Sequence, residues 1–557
     1  MTEITHKADA KDQTPRPISA MLDELFAPVN RSDVPGLVVG VAQHGKLLYR
    51  RGFGLASIEH GVANSPRTRM RIGSTSKHFT CLAILLLAEE GKLDINAGIR
   101  TYLPELPTLS LEPTLRQMMN HTSGWRCYLD IGFLSDGNVI KPRGSALAAQ
   151  VRQRSVNFLP GEGMIYCNGG FHLLSIIIDR VAGEPYESFL KQRIFDPVGM
   201  VDSASVPSDF EIQPGTATLH IPLGEGRYRR GIFPTEEVRG EGAIISTVDD
   251  MLRWIAHLRS PDKIVGSASS WSQMMMPTTL NNGSVNPYGF GLMRHDYRGV
   301  EVIHHAGGVI GGSCQMITVP AHGLDVIVLN NGGAMAPTEA ANKVIDAVLG
   351  DSVLGPVRKL PEAEQFKPMV GTRYFAEGSG FEFGFTEADG KLQISVVNND
   401  GLPLHQTESA LVLGFEDVAF GPLALDITAL VKEGAAPEKL SLRQSGYVEE
   451  YVKLPATPPA LAEVGRSLVG RYHADDLDAD AQIDFSGDKL MLKVFGKVGS
   501  GEMQIEPFSA DVFGLKSTDP MLPLRGTLNV QRNGGSVVGF RVDSTRTRKM
   551  AFQKLTD

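Results

Sequence analysis

This sequence of 557 residues has little of what several function classes need. It has four cysteines, Cys81, Cys127, Cys167 and Cys314, far apart and without paired spacing. That excludes a disulfide framework and reads as reduced thiols in a cytoplasmic protein. Neither C-x-x-C nor H-E-x-x-H occurs, so no metal and no other cofactor is expected. There is no long basic run, and the formal net charge is −9. Nucleic acid and an anionic membrane surface are therefore poor partners. The longest apolar run, Leu82 to Ala88, is far too short to span a bilayer. The opening stretch MTEITHKADAKDQTPRPISA is polar and lacks the apolar core of a signal peptide.

What is present is an ordinary globular composition, 42% apolar and 21% charged, on a chain too long for one core. Residues 36–56 read as two strands around a His44-Gly45 turn, and residues 315–331 as a hairpin turning at Ala321-His322-Gly323. Between them the periodicity predicts helices over Thr75–Glu90, Phe171–Val181, Glu187–Ile194 and Val248–Leu258. Strands at both ends with helices between predict an α+β domain whose first and last strands share an antiparallel sheet. After about residue 355 short alternating strands take over, with no convincing helix. Met369-Val-Gly-Thr-Arg-Tyr374 matches Leu468-Val-Gly-Arg-Tyr472, and Gly390-Lys-Leu392 matches Asp488-Lys-Leu490. Two all-strand copies of roughly 95 residues, joined by the Pro455–Ala460 linker, predict two small antiparallel β-barrels. The expected division is a disordered tail over 1–20, the α+β domain over 21–355, and barrels over 356–457 and 463–557.

Three motifs carry chemistry. Ser74-Thr-Ser-Lys77 opens the long apolar helix. A serine at a helix N-terminus sits among unpaired backbone N–H groups that can stabilise an oxyanion. Lys77, three residues on, shares its face and can take the hydroxyl proton if burial lowers its pKa. Ser-x-x-Lys also occurs at Ser188–Lys191, Ser260–Lys263 and Ser486–Lys489, where a solvated surface pair is the simpler reading. Only at Ser74 does a preceding Gly73 and a following run, Phe79 to Leu87, force the lysine into the interior. Tyr166-Cys-Asn168 follows Pro160-Gly161 and precedes a helix; of twelve tyrosines it alone has Asn at +2. A phenol beside an ammonium can ionise below its usual pKa of about 10 and act as a base. Asn168 could donate to a substrate carbonyl, or simply cap the next helix. His305-Ala-Gly307-Gly308 lies on a predicted strand before the last hairpin, its glycines permitting close approach of a substrate backbone. The Gly308 N–H is a candidate second oxyanion donor, and His304 would face the other side of the strand.

In this order the three motifs resemble those of the serine β-lactamase and penicillin-binding protein family, S-x-x-K, then Y-x-N or S-x-N, then K-T-G. His121-Thr-Ser-Gly124, Ile194-Phe-Asp-Pro-Val-Gly-Met200 and Gly242-Ala-Ile-Ile-Ser-Thr247 match as well, so the resemblance spans about residues 30–350. His305 stands where β-lactamases have lysine, which disfavours a β-lactam carboxylate. With two C-terminal barrels the chain is most similar to bacterial D-stereospecific aminopeptidases. The resemblance implies a metal-free serine hydrolase with catalytic Ser74, Lys77 and Tyr166, and with Asn168, His305, Gly307 and Gly308 around the substrate and oxyanion. It implies peptide, amide or ester substrates and a homodimer. A carboxylesterase or β-lactamase, or a non-catalytic peptide-binding protein on the same fold, remains the alternative. Which of Lys77 and Tyr166 is the base stays open. An aminopeptidase also needs a carboxylate for the substrate ammonium. The stiff loop Lys516–Leu524 of the second barrel offers Asp519, and the acidic run Asp475–Asp480 is a rival source.

Overall fold

The computed structural model describes residues 17–413, 423–426, 434–444, 447–522 and 524–556. Most of the expected tail, residues 1–16, lies outside them. Its end is already helical: Ile18–Phe26 is a helix because Leu22 and Phe26, one turn apart, both enter the core.

A six-stranded antiparallel sheet runs, edge to edge, Met293–Tyr297, Val300–Val309, Gly312–Val319, Leu324–Asn330, Leu37–Gln43 and Lys46–Phe53. The first strand of the chain thus lies beside the last of this region, with Leu37 opposite Asn330 and Gln43 opposite Leu324. His44 and Gly45 both take positive φ, 49° and 76°, the two-residue turn that matches the right-handed twist of a hairpin. Alternate residues of the first strand enter different cores. Leu37, Val39 and Val41 pack with the helices Ile18–Phe26 and Pro337–Leu349, while Val38 and Ala42 pack with the helical body. Both faces of the sheet are therefore covered, giving three layers.

The centre of the helical body is the helix Lys77–Glu89, entered through a 3-10 turn, Gly73–Ser76. Every residue from Lys77 to Leu87 is buried, so the helix has no solvent face. It packs against the helix Asn168–Ala182. The expected Glu187–Ile194 helix is Tyr186–Leu190, continued by a π-helical turn, Lys191–Phe195.

The C-terminal part forms two closed eight-stranded barrels, from Arg373–Ala376 to Tyr447–Lys453 and from Gly470–Ala474 to Met550–Lys554. In Ala479–Ser486 the residues Ala479, Ala481 and Ile483 are buried and alternate with exposed neighbours, the period of a barrel wall. The repeated motifs fall in equivalent places: Tyr374 and Tyr472 lie on the first strands, and Lys391 and Lys489 begin the third. Each barrel is preceded by short helical turns, Ala363–Met369 in one and Leu461–Leu468 in the other, which strand periodicity does not reveal.

The second barrel is locked to the helical body. Arg126 is buried; it pairs with Asp476 and donates to the carbonyls of Arg548 and Lys549, both at 2.8 Å. Asp475 pairs with Arg154, Asp478 with Lys497, and Asp480 with His473, so the acidic run serves this seam and its own barrel. Arg126→Ala strands Asp476 and two carbonyls in a mostly buried seam. It should destabilise the protein by about 3–5 kcal/mol. Chemical denaturation with fluorescence detection checks this, and a loss below about 1 kcal/mol would mean the seam does not depend on the pair.

Candidate active site

The 3-10 turn that carries Ser74 fits against the strand Val300–Val309 because glycines meet there. Gly73 has φ +52°, and a Cβ on it would lie 2.8 Å from the Gly308 nitrogen. A Cβ on Gly307 would lie 1.9 Å from the Ile72 carbonyl oxygen. Neither position admits a side chain, so the nucleophile turn and the glycine strand approach backbone to backbone. Thr75 Oγ1 donates to the His305 carbonyl at 3.1 Å and ties the two together.

Lys77 lies directly beneath Ser74. Its Nζ donates to Ser74 Oγ at 2.9 Å, to Asn168 Oδ1 at 2.8 Å and to the Glu241 carbonyl at 2.7 Å. All three ammonium hydrogens are thereby used, and the amine points at the hydroxyl. Burial lowers the Lys77 pKa to about 7, a shift opposed by the nearby Glu241 carboxylate and reinforced by Arg546. The Tyr166 hydroxyl is buried and lies against Ser74 without a well-aligned hydrogen bond to it. Burial pushes its pKa up, and the Ser74 hydroxyl offsets only part of that. The phenol that the sequence allowed to ionise early is thus held protonated. An amine near neutrality in contact with a serine hydroxyl can take up its proton; a protonated phenol alongside can deliver one.

Behind Tyr166 stands a row of neutral groups. His121 packs at a tilt against the Tyr166 ring, 4.2 Å between centroids, and its Nε2 shares a 3.2 Å hydrogen bond with the Tyr288 hydroxyl. Its Nδ1 accepts from the Cys167 N–H at 3.0 Å. His121 has φ 61°, a left-handed conformation uncommon for a side chain of this size. Tyr288 in turn bonds His305 Nε2 at 2.9 Å. Burial, with Lys77 close by, holds both histidines well below their usual pKa. His304, on the other face of the strand, meets Gln315 and His295 instead.

Ser74, Tyr166, Asn168, Gly307 and Gly308 line one cavity of about 560 Å³, in the range of small-ligand sites. His305 does not line it. Strand alternation turns its ring under the nucleophile turn, toward Tyr288. Asn168 begins its helix without capping it and turns its amide oxygen to Lys77. Asp519 does not line the cavity either: its Oδ1 accepts the Met521 N–H at 2.8 Å within its own loop. The loop nevertheless reaches the cavity through Pro520 and Met521, while Pro523 lies outside the described residues. Two charged lining residues have no signal in the sequence: Glu241, and Arg546 from the second barrel. Glu241 lies one residue before the Gly242 motif, and Arg546 is an arginine in a turn. Although burial pushes the Glu241 carboxyl up, His172 and Tyr128 hold it below its usual pKa. A larger cavity of about 610 Å³ lies beyond Met164 and Ile165, against the first barrel, and none of the motif residues lines it.

A family model described as Beta-lactamase matches residues 22–350. The chain is 28% identical over 537 residues to the D-aminopeptidase of Cereibacter sphaeroides (strain ATCC 17023), covering 94% of this chain and 96% of that one. It is 26% identical over 551 residues to the D-aminopeptidase of Brucella anthropi, covering 94% and 95%. Among solved structures, the octameric penicillin-binding protein homologue from Pyrococcus abyssi aligns with a TM-score of 0.54 at 18% identity. That alignment covers 96% of this chain and 99% of that one. SurE aligns with a TM-score of 0.52 at 22% identity, over 78% of this chain and 98% of its own. At these identities the two structures speak for the fold.

Proposed function

The chain belongs to the Beta-lactamase family, and we propose that it acts there as a serine amidase, releasing N-terminal D-residues from peptides or amides through an acyl-enzyme. The observation that carries this is the 2.9 Å contact between the buried Lys77 amine and the Ser74 hydroxyl. A binding protein has no use for a buried lysine aimed at a serine, and burying that amine costs stability.

In this reading Lys77, neutral in about half of the molecules near pH 7, removes the Ser74 proton as Oγ attacks the substrate carbonyl. The N–H groups of Ser74 and Gly308 hold the oxyanion. Tyr166 passes a proton to the leaving amine and regains it from Lys77. Water then attacks the ester, and the same groups return the proton to Ser74. His121, Tyr288 and His305 position Tyr166 without adding charge beside Lys77. Asp519, one residue before Pro520 in the cavity wall, is proposed to supply the counter-charge to the substrate ammonium. The D-preference rests on the two relatives named D-aminopeptidase.

The test is a panel assayed with purified protein: D- and L-alanine amide, N-acetyl-D-alanine amide, p-nitrophenyl butyrate and nitrocefin. D-alanine amide should exceed both its enantiomer and its N-acetyl form by at least about tenfold in kcat/KM. Faster turnover of the L-amide, the butyrate ester or nitrocefin would replace this assignment with another member of the same fold.

A further inference from the structure

Away from the nucleophile, in the seam between the helical body and the second barrel, lies a smaller cavity of about 160 Å³. We propose that it is a binding site for a small tetrahedral oxyanion, inorganic phosphate or a phosphomonoester, held chiefly by Arg152 and Lys141.

The helix Tyr128–Asp136 stands between the two cavities. Leu129 and Phe133, one turn apart, line the active one, while Tyr128 and Gly132 line the other. Leu477 and Lys497 close the smaller cavity from the second barrel. Its volume is several times the roughly 30 Å³ of a water molecule in the liquid, so it takes a five-atom anion but no large ligand.

Three cations line it, Lys141, Arg152 and Lys497, against one acid, Asp136. The acid is already engaged. Its Oδ1 accepts the Val498 N–H at 3.0 Å, and its Oδ2 accepts the Ser135 hydroxyl at 2.8 Å. Lys497, at the surface, pairs with Asp478 at 2.6 Å. Arg152 is different: among the described residues its side chain makes no hydrogen bond and no ion pair, and its Nε is shut off from water without a partner. Asp478, the acid that feels the Arg152 charge, is the one that Lys497 holds. A buried charged donor without an acceptor is costly, and a missing ion accounts for one.

The other donors converge on the same space. Lys141 is buried, and its Nζ gives two hydrogens to the carbonyls of Gly137 at 3.0 Å and Val139 at 3.1 Å, which leaves a third. Burial lowers its pKa to about 8, with Asp136 opposing, so the amine is mostly charged at pH 7. Thr235 Oγ1 accepts the Glu237 N–H at 3.2 Å and keeps its own hydrogen. Ser145 adds a second hydroxyl to the wall. A guanidinium, an ammonium and two hydroxyls offer more donors than the two oxygens of a carboxylate can use, and match an anion of four oxygens. Lys141 is also fixed in advance: its N–H donates to the Pro234 carbonyl at 3.2 Å, and its carbonyl accepts the Glu236 N–H at 3.0 Å.

The experiment is isothermal titration calorimetry on protein dialysed into chloride buffer, with phosphate, glycerol 3-phosphate and acetate at constant ionic strength. Phosphate or its monoester should bind saturably with a Kd on the order of 1 mM or below, and acetate at least about tenfold more weakly. The tighter of the two phosphates identifies the source of the anion. Arg152→Gln should weaken binding by about tenfold or more. Its melting temperature without phosphate should match that of the natural protein, because the arginine has no partner to lose. Arg154→Gln is the control: that arginine pairs with Asp475 outside this cavity, and the affinity should not change. Absence of saturable binding overturns the proposal, as does an affinity unchanged in Arg152→Gln. Equal losses in Arg152→Gln and Arg154→Gln would show general attraction to cations and overturn it too. If Arg152→Gln does not fold, Arg152→Lys decides: it keeps the charge and loses the fork, so the affinity should fall, and an unchanged Kd overturns the site.

Discussion

Ser74→Ala is expected to lower turnover by a factor on the order of 10⁴ to 10⁶ and to abolish covalent labelling by a fluorophosphonate probe, with thermal melting almost unchanged. Lys77 keeps its bonds to Asn168 Oδ1 and the Glu241 carbonyl when the hydroxyl is gone, so the cluster does not collapse. Ser74 is only half-buried, and alanine fills its place without a clash. The other Ser-x-x-Lys pairs offer no substitute. Lys191 is exposed and pairs with Asp196, Lys263 donates to the carbonyls of His257 and Leu258, and Ser486 ends a barrel strand next to the exposed Lys489. In none of them is the amine bonded to the serine three residues earlier. Intact-mass measurement after labelling settles the matter. An adduct that survives in Ser74→Ala would show that the nucleophile lies elsewhere.

How much of this was legible in the sequence depends on whether a signal is local. The nucleophile turn is local: Gly73, Ser74 and Lys77 sit within one turn, and the apolar run behind them dictates burial. The two hairpins and the repeated Tyr374 and Tyr472 are local too, and all fall on the expected elements. The helix start at Asn168 was hidden because Gly169 and Gly170 read as breakers. They are there for packing, since a Cβ on Gly169 would meet Gln150 Nε2 at 2.0 Å, and one on Gly170 would meet Met118 at 3.2 Å. His305 was legible as a motif member, but whether its ring faces substrate or protein depends on strand alternation and on Tyr288. Arg546 was not legible at all. Its place in the cavity comes from a docking seam in which Arg126, Asn157 and Asp130 meet residues 476 and 544–549. Contacts across more than 300 positions leave no trace in any window of sequence. Through the same seam Pro520, Met521 and Arg546 come to line the cavity.

Lys77→Met and Tyr166→Phe should each lower kcat by about 10²- to 10⁴-fold, and the double variant should be scarcely worse than the poorer single one. The two groups serve one proton path, so breaking it twice costs little more than breaking it once. Strictly multiplicative losses would mean that they act separately. The pH profile separates their roles. With its pKa lowered to about 7, Lys77 is charged and unable to accept a proton at pH 5, and neutral and able at pH 9. Acylation, read as kcat/KM, should therefore rise with pH through about 7 and then level off. Burial pushes the Tyr166 pKa upward, away from that of Lys77, so the phenol stays protonated across this range and does not cause the rise. Tyr166→Phe should keep the limb near 7 on a much lower rate, whereas Lys77→Met should flatten it. If the limb vanished in Tyr166→Phe and survived in Lys77→Met, tyrosine would be the base. Loss of the amine leaves Asn168 Oδ1 and the Glu241 carbonyl without their donor, a cost of about 1–3 kcal/mol. The profiles should therefore be measured at a temperature where melting curves show every variant folded. Arg546 adds a further constraint, because its charge also holds the Lys77 pKa down. Removing it in Arg546→Gln should move the limb to higher pH. An unmoved limb would mean that the Arg546 charge does not tune the base.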